Sequence, residues 1–557
     1  MTRLASALLA FAITSSALAQ QPVKDKPLAR SEPRPTPATV VQWQDRKFGM
    51  FIHFGLYSQL GGMWHGKQID NGYSEQIMAN APIPLDEYAA VARTFNPTKW
   101  DPDAVVALAK AAGMRYIVIT SKHHDGFNMF HTAQSKYNVV DATPYHRDIV
   151  KELAQACKRG GIGFGVYYSS IDWHQPGMDT YIEGNSNPIS DSHARFNAAQ
   201  LRELLSNYGP ISEIWFDMGQ PTPEQSKLFA TTVHNLQPQT MVSGRVWNYQ
   251  GDFTVMGDNE VPAYGIDEPW QTPASIFGET WGYRSWQKRE NLQGKIDENI
   301  NRLVQVVSRG GNYILNIGPE GDGSVVPYEA DVLRGIGNWL KPNGQAIYGT
   351  TASPFATLDF GYATLKGNAV YLFVKSRPAD GVLHLQHAGH TQWQSAAVLV
   401  SGAPLQIHVT ADEATVDLPA GSATGTLPVL KLQFRGPLKI DEVLRNDGPV
   451  TLDVKTAEKF YNYNGFGYGD PKTVYKLRWL VRSGCATVAF HANGRGSVAL
   501  VTNGQARTVS LEEGSKMDVT IGQDHTLELT PPQPFVKGTP LALTVKSVDF
   551  TPQECNH

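Results

Sequence analysis

From residue 47 to residue 342, β-branched apolar runs alternate with amphipathic stretches of helical period. This alternation restricts the fold more than any other feature of the chain. KFGMFIHF (47–54), RYIVITS (115–121), GFGVYYSS (163–170), ISEIWFD (211–217), TMVSGRV (240–246) and NYILNIG (312–318) read as strands. Helices are expected over 101–112, 192–208, 222–236, 291–308 and 328–342. A further helix starts after Asp148, carries Ile149, Leu153, Ala156 and Cys157 on one face, and stops at Gly160 and Gly161. Strands separated by helices of this length form βαβ units and hence a parallel sheet. About 300 residues leave room for seven or eight units, which favours a closed barrel over an open sheet. Neither a GxGxxG nor a GxxxxGK[ST] sequence follows the first strand, so nothing supports a nucleotide-binding fold.

Near residue 350 the pattern changes to short alternating runs such as YLFV (371–374), LQIHVT (405–410) and VLKLQF (429–434). A second such region holds YKLRWLV (475–481), ATVAFHA (486–492), SVALVT (497–502) and LALTVKSVDF (541–550). Turn residues punctuate both regions at sandwich-like spacing. The expected fold class is therefore α/β: a (β/α)8 TIM-like barrel over 41–349, followed by C-terminal β-sandwich domains over 350–445 and 446–557.

The first 19 residues combine Arg3, an apolar stretch from Ala7 to Ile13, and the small-x-small triplet Ala17-Leu18-Ala19. That is an export signal of bacterial type, leading to the periplasm or the medium, with the mature chain starting at Gln20. Residues 20–40, rich in proline, read as a linker. An oxidising destination permits a disulfide; of Cys157, Cys485 and Cys555, the last two are the expected pair, and Cys157, on an apolar helix face, is expected to be a buried thiol. With 48 Lys and Arg against 52 Asp and Glu, the chain has no basic excess for nucleic acid. No stretch approaches the apolar length of a membrane span.

Barrel chemistry sits at the C-terminal ends of the strands. In order, these ends carry His53; Lys122-His123-His124-Asp125; Tyr167-Tyr168 followed by Asp172-Trp173; Trp215-Phe216-Asp217; and Arg245 with Trp247. Five polar ends in succession describe a polar pocket with aromatic walls. Adjacent histidines on a strand point to opposite sides, and neither HxH nor HExxH occurs, so no metal is expected. GxSxG is absent as well. Carboxylates remain. Asp217, closing an apolar strand, suits attack on an anomeric carbon, with a second carboxyl of raised pKa protonating the leaving oxygen.

Seven segments carry a family resemblance: WQDRKFGMFIHFGLYS (43–58), YSEQIM (73–78), YIVITSKHHDGFNMF (116–130), GVYYSSIDW (165–173), IWFDMG (214–219), TWGYRSW (280–286) and GGNYILNIGPEGDG (310–323). In these the chain resembles glycoside hydrolase family 29, the α-L-fucosidases, over about 280 residues. The resemblance implies a barrel followed by a β-sandwich and a retaining exo-glycosidase that releases terminal α-L-fucose from fucosylated glycans, without metal or organic cofactor. It implies Asp217 as nucleophile, and His53, Glu75, His123, His124, Tyr168, Trp215 and Arg245 as sugar-pocket residues. Where the family often has Trp after the glutamate, this chain has Gln76. The acid/base lies on a variable loop. Glu260, 43 residues beyond Asp217 in a GDNE string similar to the GNE of one subgroup, is the first choice. Asp258, Glu268 and Glu279 compete with it. Two other readings are a barrel glycosidase of different sugar specificity and an inactive carbohydrate-binding protein. In the last domain, Tyr461, Tyr463 and Trp479 are candidates for a sugar platform, although packing of a β-core is the favoured reading for them.

Overall fold

In the computed structural model the described residues are 29–30, 32–178, 187–262, 266, 268–355, 358–440, 448–454, 457–461, 474–522, 525–532, 541 and 543–555. The segment expected to be an export signal and Tyr463 lie outside them.

Eight parallel strands form one sheet: β1 Phe48–Ile52, β2 Tyr116–Lys122, β3 Gly163–Ser169, β4 Glu213–Asp217, β5 Met241–Val242, β6 Thr254–Val255, β7 Trp270–Ser275 and β8 Asn312–Ile317. Their order is β5-β4-β3-β2-β1-β8-β7-β6. The two ends meet. Ser243 and Phe253 form a parallel bridge, Gly244 N donates to Phe253 O at 2.7 Å, and Asp252 N donates to Val242 O at 2.6 Å. The sheet is thereby closed into the expected barrel.

Six helices form the outer layer: α1 Pro102–Ala111, α2 Ile149–Gly160, α3 Asp191–Asn207, α4 Pro223–Leu236, α5 Leu292–Ser308 and α6 Pro327–Asn343. Their starts are written in the sequence. The side chains of Asp101, Asp148, Ser190 and Thr222 each accept from a backbone N–H in the first turn, and Gly161 ends α2 in the left-handed region at φ 66°. The connection from β5 to β6 is different. It contains only the 3-10 turn Gly244–Val246, where continuous strand was expected over 240–246.

Strand parity divides the barrel into two cores. Ile117, Ile119, Val166, Tyr168, Ile214 and Phe216 face the helices. Phe51, Tyr116, Val118, Tyr167, Trp215 and Ile314 fill the interior. Gly49 belongs to the inner set, and a Cβ there would fall 2.3 Å from the Tyr116 ring.

The N-terminal mouth is plugged. A short helix, Pro37–Gln44, inserts Trp43, only 2% exposed, whose indole N–H bonds the buried Glu213 carboxylate. Gln271 Nε2 donates to the same carboxylate at 3.2 Å and to Tyr116 OH at 3.0 Å, while its Oε1 accepts from Trp215 Nε1 at 2.8 Å. The described residues of the expected linker are held here as well. Arg30 and Arg34 bond the carbonyls of Tyr249 and Gly251, and Arg34 pairs with Asp252.

Beyond the barrel, a five-stranded and a three-stranded antiparallel sheet enclose one apolar core, from Phe355 to Phe434. LQIHVT does not form one strand: Pro404–Leu405 and Ile407–Val409 belong to different sheets. This sandwich rests on α5 and α6. Trp339 Nε1 donates to Thr426 O at 2.8 Å, and Thr426 Oγ1 donates to Asp297 at 2.7 Å. Four- and five-stranded sheets enclose a second core that contains Trp479, 3% exposed, so Trp479 packs rather than forming a platform. Tyr461 ends a described strand. Cys485 and Cys555 are bridged, with Cα atoms 5.2 Å apart. Cys157 is a buried thiol whose pKa burial pushes up to about 12. No described helix is long and apolar enough to cross a membrane.

Replacing Trp43 with Ala should lower the unfolding free energy by about 3–5 kcal/mol, because a cavity and an unpaired Glu213 remain. Trp43→Phe, which loses chiefly the hydrogen bond, should cost about 1–3 kcal/mol. Denaturant titration of both variants checks this; a Trp43→Phe variant as stable as the wild type would contradict a role for the bond, and equal losses would contradict one for the cavity.

Candidate active site

Asp217 ends β4 on the inward face, two residues beyond Trp215 and four beyond Glu213. Its Oδ2 accepts from Tyr167 OH at 2.7 Å and its Oδ1 from Arg245 Nη1 at 2.9 Å. Arg245 stands on the 3-10 turn at the barrel seam and forks. Its Nη2 reaches Asp258 Oδ1 at 2.9 Å and Met256 O at 3.0 Å, and its guanidinium lies 4.8 Å over the Trp215 ring. Burial works against its charge, but Asp258 and Asp217 outweigh burial and hold its pKa above the ordinary value. A fixed cation therefore orients a carboxylate that is itself only 6% exposed.

Three imidazoles surround this pair. His53, just past β1, has Nδ1 2.7 Å from Asn316 Oδ1. His124 has Nδ1 2.7 Å from Ser169 Oγ and Nε2 3.8 Å from Asp217 Oδ2. His123 stacks on Tyr167 at 5.3 Å, and its buried Nδ1 has no hydrogen-bond partner. Adjacent histidines were expected on opposite sides of a strand. They are neighbours instead, with ring centroids 4.1 Å apart, because β2 ends at Lys122 and both rings belong to the loop beyond it. Burial lowers the pKa of His53 to about 4, that of His124 to about 3, and that of His123 well below the usual value. All three rings are neutral at pH 7.

Tyr168 is not in the pocket. It lies on the helix-facing side of β3, where its OH meets Asn197 Oδ1 at 2.8 Å and Gln200 Oε1 at 2.7 Å, and buried Lys122 sits 4.4 Å over its ring. Tyr167, which pairs in register with Trp215, takes the place expected for it. Parity carried the signal: Gly163, Gly165, Tyr167 and Ser169 alternate with the apolar Phe164, Val166 and Tyr168. Trp215 lies beneath Asp217 as a floor, stacked on Tyr167 at 5.6 Å.

Glu75 is buried in the 3-10 turn Ser74–Gln76, and its Oε2 accepts from the backbone N–H groups of Trp281 (3.1 Å) and Gly282 (2.8 Å). Burial raises its pKa to about 7 against these bonds. Ser74 Oγ also reaches Gly282 O, and Ser285 N reaches Gly61 O, so the loops after β1 and β7 are laced together. The lacing places the Trp281 ring 5.2 Å from His53.

The four acid candidates separate. Glu268 precedes β7 and bonds Thr254 at the start of β6, on the barrel face opposite the pocket. Asp258 is taken up by Arg245. Glu260 closes the turn after β6, where its Oε2 accepts from Gly257 N at 3.0 Å. That turn is anchored to β7, for Asn259 N donates to Pro273 O at 2.9 Å and Asn259 Oδ1 accepts from Ser275 N at 2.8 Å. Glu279 is exposed on the loop after β7. Among the described residues no cluster of three or more His, Cys, Asp or Glu side chains could hold a metal ion.

The family model for α-L-fucosidase matches residues 13–345, which include every part of this pocket. The chain belongs to the α-L-fucosidase family. It is thus a glycoside hydrolase with fucosidase activity. It is 32% identical over 428 residues to the tissue α-L-fucosidase of Rattus norvegicus, covering 71% of this chain and 88% of the relative. The crystal structure of a GH29 enzyme from Bacteroides thetaiotaomicron, a trapped covalent intermediate, superposes with a TM-score of 0.66 at 27% identity, covering 73% of this chain and 98% of that one. An α-L-fucosidase from Vibrio sp. strain EJY3 superposes with a TM-score of 0.68 at 26% identity and covers 93% of this chain and 99% of its own.

Within this fucosidase, the depressed pKa of His124 makes a linkage prediction. Its folded value of about 3 lies below the ordinary value of 6.5, so the neutral ring's contribution to stability is complete above pH 6.5 and is lost as pH falls toward 3. The stability difference between wild type and His124→Gln should therefore shrink by at most about 1.4 kcal/mol per pH unit below pH 6.5. Denaturant unfolding at several pH values measures it; a difference independent of pH would contradict a buried neutral ring.

Proposed function

We propose that the protein is a secreted, retaining exo-fucosidase that removes terminal α-L-fucosyl residues from glycans by double displacement. The observation that carries this reading is the setting of Asp217. It is a carboxylate at a rigid strand end, held by Tyr167 and Arg245 at the mouth of a pocket of neutral imidazoles. Asp217 attacks the anomeric carbon as the glycosidic bond breaks, forming a glycosyl ester. Glu260 protonates the departing oxygen and then takes a proton from the water that opens the ester, so configuration is retained.

The Bacteroides thetaiotaomicron relative supports a covalent route, since its trapped intermediate with a 2-fluoro-fucosyl fluoride was obtained with a Glu to Gln mutant. That substitution also favours a glutamate as the partner acid. Between the two glutamates on the pocket face, Glu260 is preferred because Asn259 pins its turn to β7, beside the seam that carries Arg245. The N-terminal signal accounts for export, and the disulfide suits an oxidising compartment.

Asp217→Ala should lower kcat for an aryl α-L-fucoside by about 10³-fold or more in protein that still folds, although loss of the buried partner of Arg245 lowers its unfolding midpoint. Near-normal turnover would refute the nucleophile. Glu260→Ala should lose far more activity on poor leaving groups than on 2,4-dinitrophenyl fucoside and should be rescued by azide with retained configuration. If Glu279→Ala shows that pattern instead, the acid/base role moves there. Mass spectrometry of exported protein should find Gln20 as the first residue.

A further inference from the structure

The hydrogen-bond partners of two pocket histidines determine which ring nitrogen carries the proton. His124 Nδ1 lies 2.7 Å from Ser169 Oγ, and Ser169 Oγ lies 2.8 Å from the carbonyl of Ile171. A carbonyl only accepts, so the single hydroxyl proton of Ser169 lies on the line to Ile171. Toward His124 the hydroxyl offers a lone pair, and Nδ1 must supply the hydrogen. His53 is fixed by the same logic. Asn316 Nδ2 is 2.7 Å from the carbonyl of Trp281, which sets the amide's orientation, so the atom facing His53 Nδ1 at 2.7 Å is the amide oxygen. Nδ1 of His53 therefore also carries hydrogen. Both rings are neutral, and a neutral imidazole has one N–H. Nε2 is then a bare lone pair in each. In His124 that lone pair lies 3.8 Å from Asp217 Oδ2, a separation without a hydrogen bond, as expected of two acceptors.

We propose that Ser169 and Asn316 are positioning residues that lock His124 and His53 as Nδ1–H tautomers, so that both Nε2 atoms are acceptors that select a neutral polyol by the O–H protons it donates. Near Asp217, Tyr167 OH bonds Asp217 and the terminal nitrogens of Arg245 bond Asp217, Asp258 and Met256, while Arg245 Nε and His123 Nδ1 have no hydrogen-bond partner. A sugar whose hydroxyls point into the pocket supplies the missing hydrogens. A carboxylate or a fluorine at the same place brings one more acceptor against bare nitrogens. The proposal rests on reading the Asp217 pocket as the sugar site and deepens that reading.

Neutron diffraction from ligand-free crystals of the deuterated full chain tests it without reference to turnover. Deuterium is expected on Nδ1 of His53 and His124 and absent from both Nε2 atoms; deuterium on either Nε2 overturns the assignment. That result stands apart from the fate of the catalytic reading, which Asp217→Ala decides. Kinetics provide a second arm. Ser169→Ala frees the His124 proton and should reduce kcat/KM by about 10–100-fold, the usual effect of removing a partner that orients a functional histidine. Ser169→Thr, which keeps the hydroxyl, should restore most of the loss, and an unimpaired Ser169→Ala enzyme overturns the positioning role. In a third arm, L-fucose analogues with one ring hydroxyl replaced by fluorine, which cannot donate, should inhibit as weakly as the matching deoxy analogues at two or more positions. Full inhibition by every fluorinated analogue counts against acceptor selection.

Discussion

The fork of Arg245 between Asp217 and Asp258 is the contact on which the pocket depends. It joins the end of β4 to the turn after β6 across the seam where the barrel closes. That seam has no helical crossover to stiffen it, and the strands on either side are two residues long. A guanidinium with two terminal nitrogens can hold both carboxylates in one plane, whereas an ammonium would offer a point charge without that geometry. The aromatic floor of Trp215 beneath the guanidinium excludes water from one side of the pair. The same residues that complete the fold at its weakest join thus orient the group proposed to do the chemistry.

The rest of the site is built outward from strand parity. Inward positions on β1, β3, β4 and β8 supply or support His53, Tyr167, Asp217 and Asn316, and the outward positions between them are apolar and pack the helices. Two laced loops add Glu75 and Trp281 from the β1 and β7 sides. Glu75 acts in this arrangement through two backbone N–H groups.

Much of this was legible beforehand for a physical reason: periodicity and caps are local, and the barrel's long strands and helices carry both. Asp101, Asp148 and Thr222 announce their helices within a residue or two of where they start. What escaped was what depends on distant partners. β7 reads as WQTPAS, with a proline and buried polar side chains, because Gln271 faces the barrel interior and is satisfied there by Glu213, Tyr116 and Trp215. β6 has two residues and no period to detect. The family resemblance implies Tyr168, whereas parity against Gly163 and Gly165 points to Tyr167, whose OH bonds Asp217. The opposite-face rule for His123 and His124 fails because it holds only within a strand, and β2 ends at Lys122.

The plug at the N-terminal mouth has a consequence for how the chain reaches this state. Trp43 is synthesised early, yet its indole bonds Glu213, 170 positions later, and its carbonyl accepts from Asn312, 269 positions later. β1 lies between β2 and β8, so its second neighbour emerges only after nearly the whole barrel. Contacts of such sequence separation form slowly. The barrel cannot close until its last strand, Asn312–Ile317, has been synthesised. A chain that stays open until its last barrel strand arrives is in the state that the export proposed for it requires, since the pocket is then assembled only after the whole barrel is available.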